Sequence, residues 1–378
     1  MIKSVFLVVS EFPPGPGGIG NHAWSLALHL AKRGVKVHVL TDSNYAKMDE
    51  IKTFDRQLPD LMKVSRIKRS WVLTPVIRIW MFFYYILFRE NEGIIFSGRF
   101  SLWLCGLMKL FFIKTPSLCV LHGSEIRLKN QLFNILTWHG ISKASFLVPV
   151  SAFTHSLLPD KLRKKPFKII ENGIDIHEFS DLKGQLTNEE PDLKGDPVLL
   201  TVGNVTYRKG QHRVIKALPE ILKHFPGTQY HVAGLPSLKS EFQELAESMG
   251  VSSKVIFHGR LPLRKDVANT YDKADCFLIL SENQQDGDVE GFGIVILEAN
   301  YFGLPVIGAS GCGIDDAIKH GFNGFLVDGN NPGQIANSLK EILDRKEEFS
   351  KNAKDWALAH DWSRIVSKYL EIFDQLIL

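Results

Sequence analysis

Two hydrophobic periods alternate along this chain. Short β-branched runs, IKSVFLVVS at 2–10 and VKVHVLT at 35–41, flank GIGNHAWSLALHLAKRG at 18–34, whose apolar positions recur at helical spacing. That order predicts a βαβ unit. Further runs of strand length follow at 93–97 (GIIFS), 117–123 (SLCVLHG), 145–151 (SFLVPVS) and 167–173 (FKIIENG), with helical patterns between most of them. Residues 181–196, DLKGQLTNEEPDLKGD, are polar, contain Gly and Pro and have no apolar period, so they read as a linker. A second series then starts, with strands expected at 197–203, 228–234, 254–259, 275–281 and 304–310.

Alternating strands and helices predict an α/β fold with mainly parallel, doubly wound sheets. At 378 residues the chain exceeds what one core usually supports, so two Rossmann-like domains are expected. The reading places the first at 1–185 and the second at 186–361. The amphipathic segment 362–378, with Ile365, Tyr369, Ile372, Phe373 and Leu376 on one face, is assigned back to the first. Ligands of such sheets bind beyond the carboxyl ends of the strands, here in an expected cleft between the domains.

Composition narrows this further. With 45% hydrophobic and 23% charged residues the chain can bury ordinary cores, which excludes a disordered protein. Cys105, Cys119, Cys276 and Cys312 form no CxxC and no zinc spacing, so they read as reduced thiols. The start, MIKSVFLVVSEFPPG, reads as a buried strand and not as a signal peptide, and a cytoplasmic location at the inner face of the membrane is expected. Residues 1–190 hold 25 Lys and Arg against 16 Asp and Glu, whereas the remainder holds 20 against 25. The basic excess includes KVSRIKR (63–69) and KLRKKPFK (161–168) and suits an anionic partner such as a membrane surface. No basic and aromatic interleaving supports nucleic acid. The aromatic stretches 74–88 and 100–113 are too short to span a bilayer and are broken by Arg78 and Lys109. They are either buried helices or a face dipping into a membrane.

Candidate chemistry lies at the predicted strand ends. SEFPPGPGGIGNHAW places Gly17, Gly18 and Gly20 where a helix opens, letting backbone approach an anion or sugar. It is not GxGxxG, and no suitably placed acidic residue follows for a dinucleotide ribose. In VGNVTYRKGQHRVIKAL, Arg208 and Lys209 precede a helix expected to start near Lys209, a favourable place for phosphate. In ENQQDGDVEGFGIVILEANYFGLPVIGASG, seven residues separate Glu290 from Glu298, and a helix is expected from about Phe292. Glu290 then stays in the loop and Glu298 projects about two turns along, so both can grip one elongated ligand with the helix amides facing a diphosphate. The acidic loop of Asp286, Asp288 and Glu290 lacks the spacing of a calcium loop, and no metal is expected.

Taken together, PPGPGGIG at the front, HGSE at 122–125, ENGID at 171–175, VGNVTYRKG, HGRL at 258–261 and EGFGIVILEA resemble glycosyltransferase family 4, the retaining GT-B transferases, and especially its mannosyl and hexosyl branch. The resemblance runs over nearly the whole chain. It implies a GT-B fold and transfer of a hexose from a GDP- or UDP-sugar to a glycan or lipid-linked acceptor, in cell-envelope polysaccharide or glycolipid synthesis. It implies that Gly18 lies near the donor diphosphate and sugar, and His122, ordered by Glu125, near the transferred sugar. It assigns Lys209 to phosphate, Glu290 to the hexose hydroxyls, Glu298 to the ribose, and Arg260 and Leu261 to the base. Gly291, Phe292, Gly293 and Ile294 form the amide-rich turn at the diphosphate. Asn204 departs from the pattern, standing where many relatives carry a basic residue, and Arg208 is the available substitute. The catalytic set is His122, Lys209 and Glu290, with no cofactor besides the sugar nucleotide. The same architecture serves epimerases, phosphorylases and non-catalytic nucleotide-sugar-binding modules, but no pyridoxal phosphate environment is identifiable and the loops are intact.

Overall fold

The computed structural model describes residues 2–377 except 16, 44–45, 69–72, 90, 109–110, 112, 127, 187–190 and 286. Asp286 of the acidic loop, Arg69 of the first basic cluster and Lys109 therefore lie outside the described residues. The chain divides into two units, Met1–Asn172 with Trp362–Leu378, and Gly173–Asp361.

The first unit runs β1 (Ser4–Val9), α1 (Gly18–Lys32), β2 (Lys36–Asp42), α2 (Met48–Arg56), β3 (Met62–Ile67), α3 (Leu73–Phe88), β4 (Gly93–Ser97), α4 (Arg99–Met108), β5 (Ser117–Leu121), α5 (Gln131–Lys143), β6 (Phe146–Pro149) and the short α6 (Ala152–Ser156) and α7 (Asp160–Arg163). Its sheet is all parallel in the order β3-β2-β1-β4-β5-β6. The central strands are buried on both faces, which is why they read as continuous apolar runs. Phe6 of β1 stacks on Phe82 of α3, and Phe82 meets Phe96 of β4, which seats α3 on the sheet.

The second unit runs α8 (Ile176–Gly184), β7 (Val198–Val202), α9 (Gln211–His224), β8 (Gln229–Ala233), α10 (Lys239–Ser248), β9 (Val255–Gly259), α11 (Arg264–Lys273), β10 (Cys276–Ile279), α12 (Ile294–Tyr301), β11 (Val306–Ala309), α13 (Ile314–Ala317), β12 (Gly324–Val327), α14 (Pro332–Asp344) and α15 (Lys346–Ala359). Its sheet, also parallel, has the order β12-β11-β10-β7-β8-β9. A core of Leu199, Val214, Leu218, Tyr230, Leu278, Ile307 and Leu339 joins the strands to α9 and α14. The last helix, α16 (Trp362–Ile377), belongs to the first unit, where it packs on α1 and buries Trp362, Tyr369 and Phe373.

Several expectations need correcting. The boundary falls at Asn172/Gly173 and not at 185, because Phe179 of α8 packs on Tyr301 and Phe302 of the second unit. Asp181–Gly184, read as linker, close that helix. FKIIENG is not a strand of the sheet. It runs beside β6 through a single bridge, Leu147 to Phe167, and amides such as Lys168 donating to the Leu147 carbonyl at 3.1 Å. The basic cluster at 63–69 overlaps β3, an edge strand that exposes Lys63 and pairs Arg66 with Asp55. The four cysteines are free and buried. Among the described residues no helix is long and apolar enough to cross a membrane.

Candidate functional site

Topology locates two places where a ligand can sit. In the second unit β7 and β10 are neighbours, yet the chain leaves β7 toward β8 and β9 on one side and returns to β10, β11 and β12 on the other. The loops after β7 and β10 therefore part and leave a crevice at their carboxyl ends. The loop after β7 ends in a 3₁₀ turn, Tyr207–Lys209, and Gly210 (φ 77°) hands the chain to α9. A side chain at Gly210 would be strained, and its Cβ would strike the Leu280 carbonyl in the loop after β10. The Glu282 amide donates to the Arg208 carbonyl at 2.9 Å, tying the same two loops together.

Four charged groups converge there. Glu290 Oε2 lies 2.7 Å from Lys209 Nζ and 2.5 Å from Arg208 Nη1, and Arg208 Nε is 3.0 Å from Asp288 Oδ2. The Lys209 and Glu290 side chains are 12% and 11% exposed, so that pair is largely dry and its charges act more strongly than in water. Burial alone would raise the Glu290 carboxyl. Lys209 and Arg208 more than offset it and hold the group below the usual range, so it stays ionised. The Glu290 carbonyl accepts from the Gly313 amide at 2.9 Å, which fixes the loop from below. Gly293 (φ 85°) caps α12, which begins at Ile294, two residues later than the sequence suggested. Gly291, Phe292 and Gly293 form the entry loop, and Phe292 is buried. Glu298 lies in the second turn of α12, where its Oε2 accepts from Tyr271 Oη at 2.9 Å. Arg260 is exposed beyond β9 and Leu261 follows it. Asn204 contributes a carbonyl, which accepts from Gln211 Nε2 at 3.0 Å and braces the turn before Lys209.

Sequence reasoning missed the floor of this crevice. β7, β8 and β9 are each followed by or end in glycine, Gly203, Gly234 and Gly259. The Lys209 stem crosses Gly203, and a Cβ on Gly234 would strike the Gly203 carbonyl. No side chain rises between Lys209 and Arg260 at these three positions. The signal was visible as VG, AG and HG at successive strand ends. Tyr271, the partner of Glu298, was missed because it carries no motif of its own, and Asp288, read only as part of an acidic loop, was not linked to Arg208.

The first unit has its own switch point, between β1 and β4. Gly17 (φ 145°) lies against Glu11, while the Cα of Gly18 opens α1 toward empty space, with nothing within 4 Å of a Cβ built there. His122 follows β5. Its Nε2 is 2.9 Å from Ser97 Oγ, and its amide donates to Glu125 Oε1 at 2.5 Å. Burial pushes the His122 imidazole down to about 4 and the Glu125 carboxyl up to about 6. Behind it stands His22 of α1, its ring 4.9 Å from that of His122 and its Nε2 3.2 Å from Tyr369 Oη on α16.

Two parallel doubly wound sheets with anion-suited switch points restrict the class, and comparison with known proteins decides it. Residues 16–178 match the family described as Glycosyltransferase Family 4, and residues 185–356 match Glycosyl transferases group 1. The chain belongs to glycosyltransferase family 4. As a family 4 glycosyltransferase it is 25% identical to a GDP-mannose-dependent monoacylated alpha-(1-6)-phosphatidylinositol monomannoside mannosyltransferase of Corynebacterium glutamicum, over 90% of this chain and 89% of the relative. It is 30% identical to the GDP-mannose-dependent alpha-(1-6)-phosphatidylinositol monomannoside mannosyltransferase of Mycolicibacterium smegmatis over 49% of this chain, spanning half of that protein's length. Among solved structures it is similar to Anabaena HepE in complex with UDP, with a TM-score of 0.75 and 19% identity over 99% of this chain and 100% of that one. The family 4 glycosyltransferase thus has the GT-B fold.

Proposed function

We propose that the chain transfers a hexose from a GDP- or UDP-sugar to a glycan or lipid-linked acceptor with retention of anomeric configuration. The observation that carries this is the meeting of Lys209, Arg208 and Glu290 at the β7/β10 switch point, beside the start of α12. A diphosphate there displaces Glu290 from its two cations and takes their charge. Glu290, released, accepts from hexose hydroxyls. The names of the two mannosyltransferase relatives and the UDP held by HepE support a sugar nucleotide as donor. The roles of Gly18 and His122 toward diphosphate and sugar rest on the family resemblance.

In this reading the bond between the anomeric carbon and the β-phosphate oxygen breaks, the electron pair goes to that oxygen, and Lys209 with Arg208 stabilises the charge. The acceptor hydroxyl enters on the same face, bonds to the anomeric carbon and passes its proton to the departing phosphate oxygen. Fixed cations do what a metal does elsewhere, and no cofactor beyond the sugar nucleotide takes part. The acceptor is met at an anionic membrane surface. NMR of the product decides the stereochemistry: an α-linked donor gives an α-linked product, and a β-linkage overturns the retaining assignment.

Glu298 is assigned to the ribose, with Tyr271 holding its carboxylate. Glu298→Ala removes uniform binding, so the donor KM rises about tenfold while kcat stays within about twofold. Steady-state kinetics at varied donor checks it, and an unchanged KM removes the ribose assignment.

A further inference from the structure

The outer face of α3 is apolar, and no described residue of the first unit covers it. Leu73, Val76, Trp80, Tyr84, Leu87 and Phe88 are all exposed, Trp80 by 65% and Phe88 by 72%. At 3.6 residues per turn these six fall within an arc of about 120°. The opposite arc holds Thr74 and Phe82, which are buried, and Arg78, paired with Asp42. Trp80 and Tyr84 stack with ring centroids 5.6 Å apart, and Phe111, also exposed, lies against Phe83 beside them. An apolar arc of this width ordinarily faces a core.

The stretch of sequence that holds α3 is strongly basic. Residues 61–159 contain twelve Lys and Arg but only three acids, Glu90, Glu92 and Glu125, of which Glu125 is buried. Helices α3, α4 and α5 contain no Asp or Glu.

At the C-terminal end of α3 lies a cavity of about 970 Å³, lined by Lys3, Lys36, Lys63 and Arg89 around His38 and Tyr85. Ser65 Oγ is 2.9 Å from both His38 Nε2 and Tyr85 Oη, so the floor is a polar chain. Of the three carboxylates in the wall, Asp55 is bonded to Arg66 and Glu92 accepts from the Lys3 amide, leaving Asp60. The His38 imidazole is pushed down to about 4, first by burial and then by the charges of Arg89 and Lys63. The cavity sits at the amino ends of β1, β2 and β3, the opposite end of the sheet from Gly18 and His122.

We propose that α3 is a membrane-docking element: its apolar arc enters the headgroup and acyl boundary of an anionic bilayer, and the cationic cavity at its end receives a lipid phosphate. The geometry suits an interfacial helix, with aromatic residues on the apolar arc and cations at its end. The charge excess selects an anionic bilayer over a neutral one. This deepens the reading of an acceptor met at a membrane, and its test reads vesicle binding, independently of turnover.

The whole chain is sedimented with vesicles of neutral phospholipid alone and with 30 mol% phosphatidylglycerol, at low and high salt. Binding is expected to the anionic vesicles, weakened by salt. Trp80→Ser with Phe88→Ser lowers partitioning about tenfold or more, and Lys63→Ala with Arg89→Ala lowers it by a similar factor, since each cation is worth roughly fivefold near such a surface. All four side chains are exposed, so unfolding curves that match the parent confirm intact variants. Binding of a sugar nucleotide, followed separately, stays unchanged, so its failure would speak against the transferase reading and not against docking. Absence of binding to anionic vesicles overturns the proposal, as does binding that ignores both double variants. A dimer in light scattering that Trp80→Ser with Phe88→Ser converts to monomer also overturns it, because the face then serves a second copy.

Discussion

Lys209→Ala lowers turnover about 100-fold or more in an assay of released nucleotide, while the protein folds as before. The rate effect follows from where charge develops. As the anomeric bond breaks, negative charge grows on the phosphate oxygen, and a fixed cation in a dry site costs no reorganisation at that moment. Lys209 is fixed: its stem crosses Gly203, and Gly210 and the Leu280 carbonyl set the turn that delivers it. Removing one preorganised group of this kind typically costs about 3 to 4 kcal/mol of transition-state stabilisation. Folding survives because Glu290 keeps its second cation, Arg208, at 2.5 Å. Glu290→Gln acts in the same direction by tenfold or more, since the amide cannot replace a carboxylate toward sugar hydroxyls, and it takes from Lys209 its carboxylate partner. Arg208→Ala is milder, because Arg208 is more exposed and divides its charge between Asp288 and Glu290. Near-parental rates for both Lys209→Ala and Glu290→Gln, with donor saturating, would sink the site assignment.

What could be read from the sequence was what depends on neighbours in the chain. GIIFS became β4 with the same ends, and the amphipathic tail became α16, because each is a continuous hydrophobic pattern. β3 escaped because an edge strand is half solvated, so Lys63 and Arg66 hid its alternation inside a basic run. β12, four residues long, carries too little pattern to register. The linker was placed too late for a similar reason: α8 is polar on most faces and declares its allegiance only through Phe179. At the site, Lys209, Glu290 and Glu298 stood out as motifs, yet nothing local says that Arg208 reaches Asp288 and Glu290. That contact exists because β7 and β10 are adjacent, an adjacency across more than seventy residues of intervening chain. The exposed arc of α3 is the reverse case. Its apolar pattern was plain, but only the fold shows that one face of it stays outside the core.

Acid destabilises the first unit by several kcal/mol, with a fall in Tm of about 10 °C between pH 7.5 and 5.0. His122 is pushed down to about 4 by burial. His22, fully buried against it, is also well below the ordinary range, first through burial and then through His122. An unfolded histidine titrates near 6.5. Between that value and the folded one the unfolded chain binds more protons, so stability is fully present above about pH 6.5 and drains as pH falls toward 4. At pH 5 His122 forfeits about 2 kcal/mol against a total of roughly 5–15, and His22 adds to the loss in the same direction. For a unit of this size His122 alone corresponds to roughly 4–8 °C, and His22 takes the fall further. His38, held low by burial and by Arg89 and Lys63, adds to the loss in the same window, so His38→Gln restores part of it. Glu125 works the other way: burial raises its carboxyl to about 6, so protonation in the fold returns some stability below that pH. Calorimetry at the two pH values measures the shift, and hydrogen exchange locates it. Amides of α1, β2 and β5 lose protection before those of the β7–β12 sheet, whereas equal loss in both sheets, or a Tm held within 2 or 3 °C, would mean that these imidazoles do not stay buried and neutral.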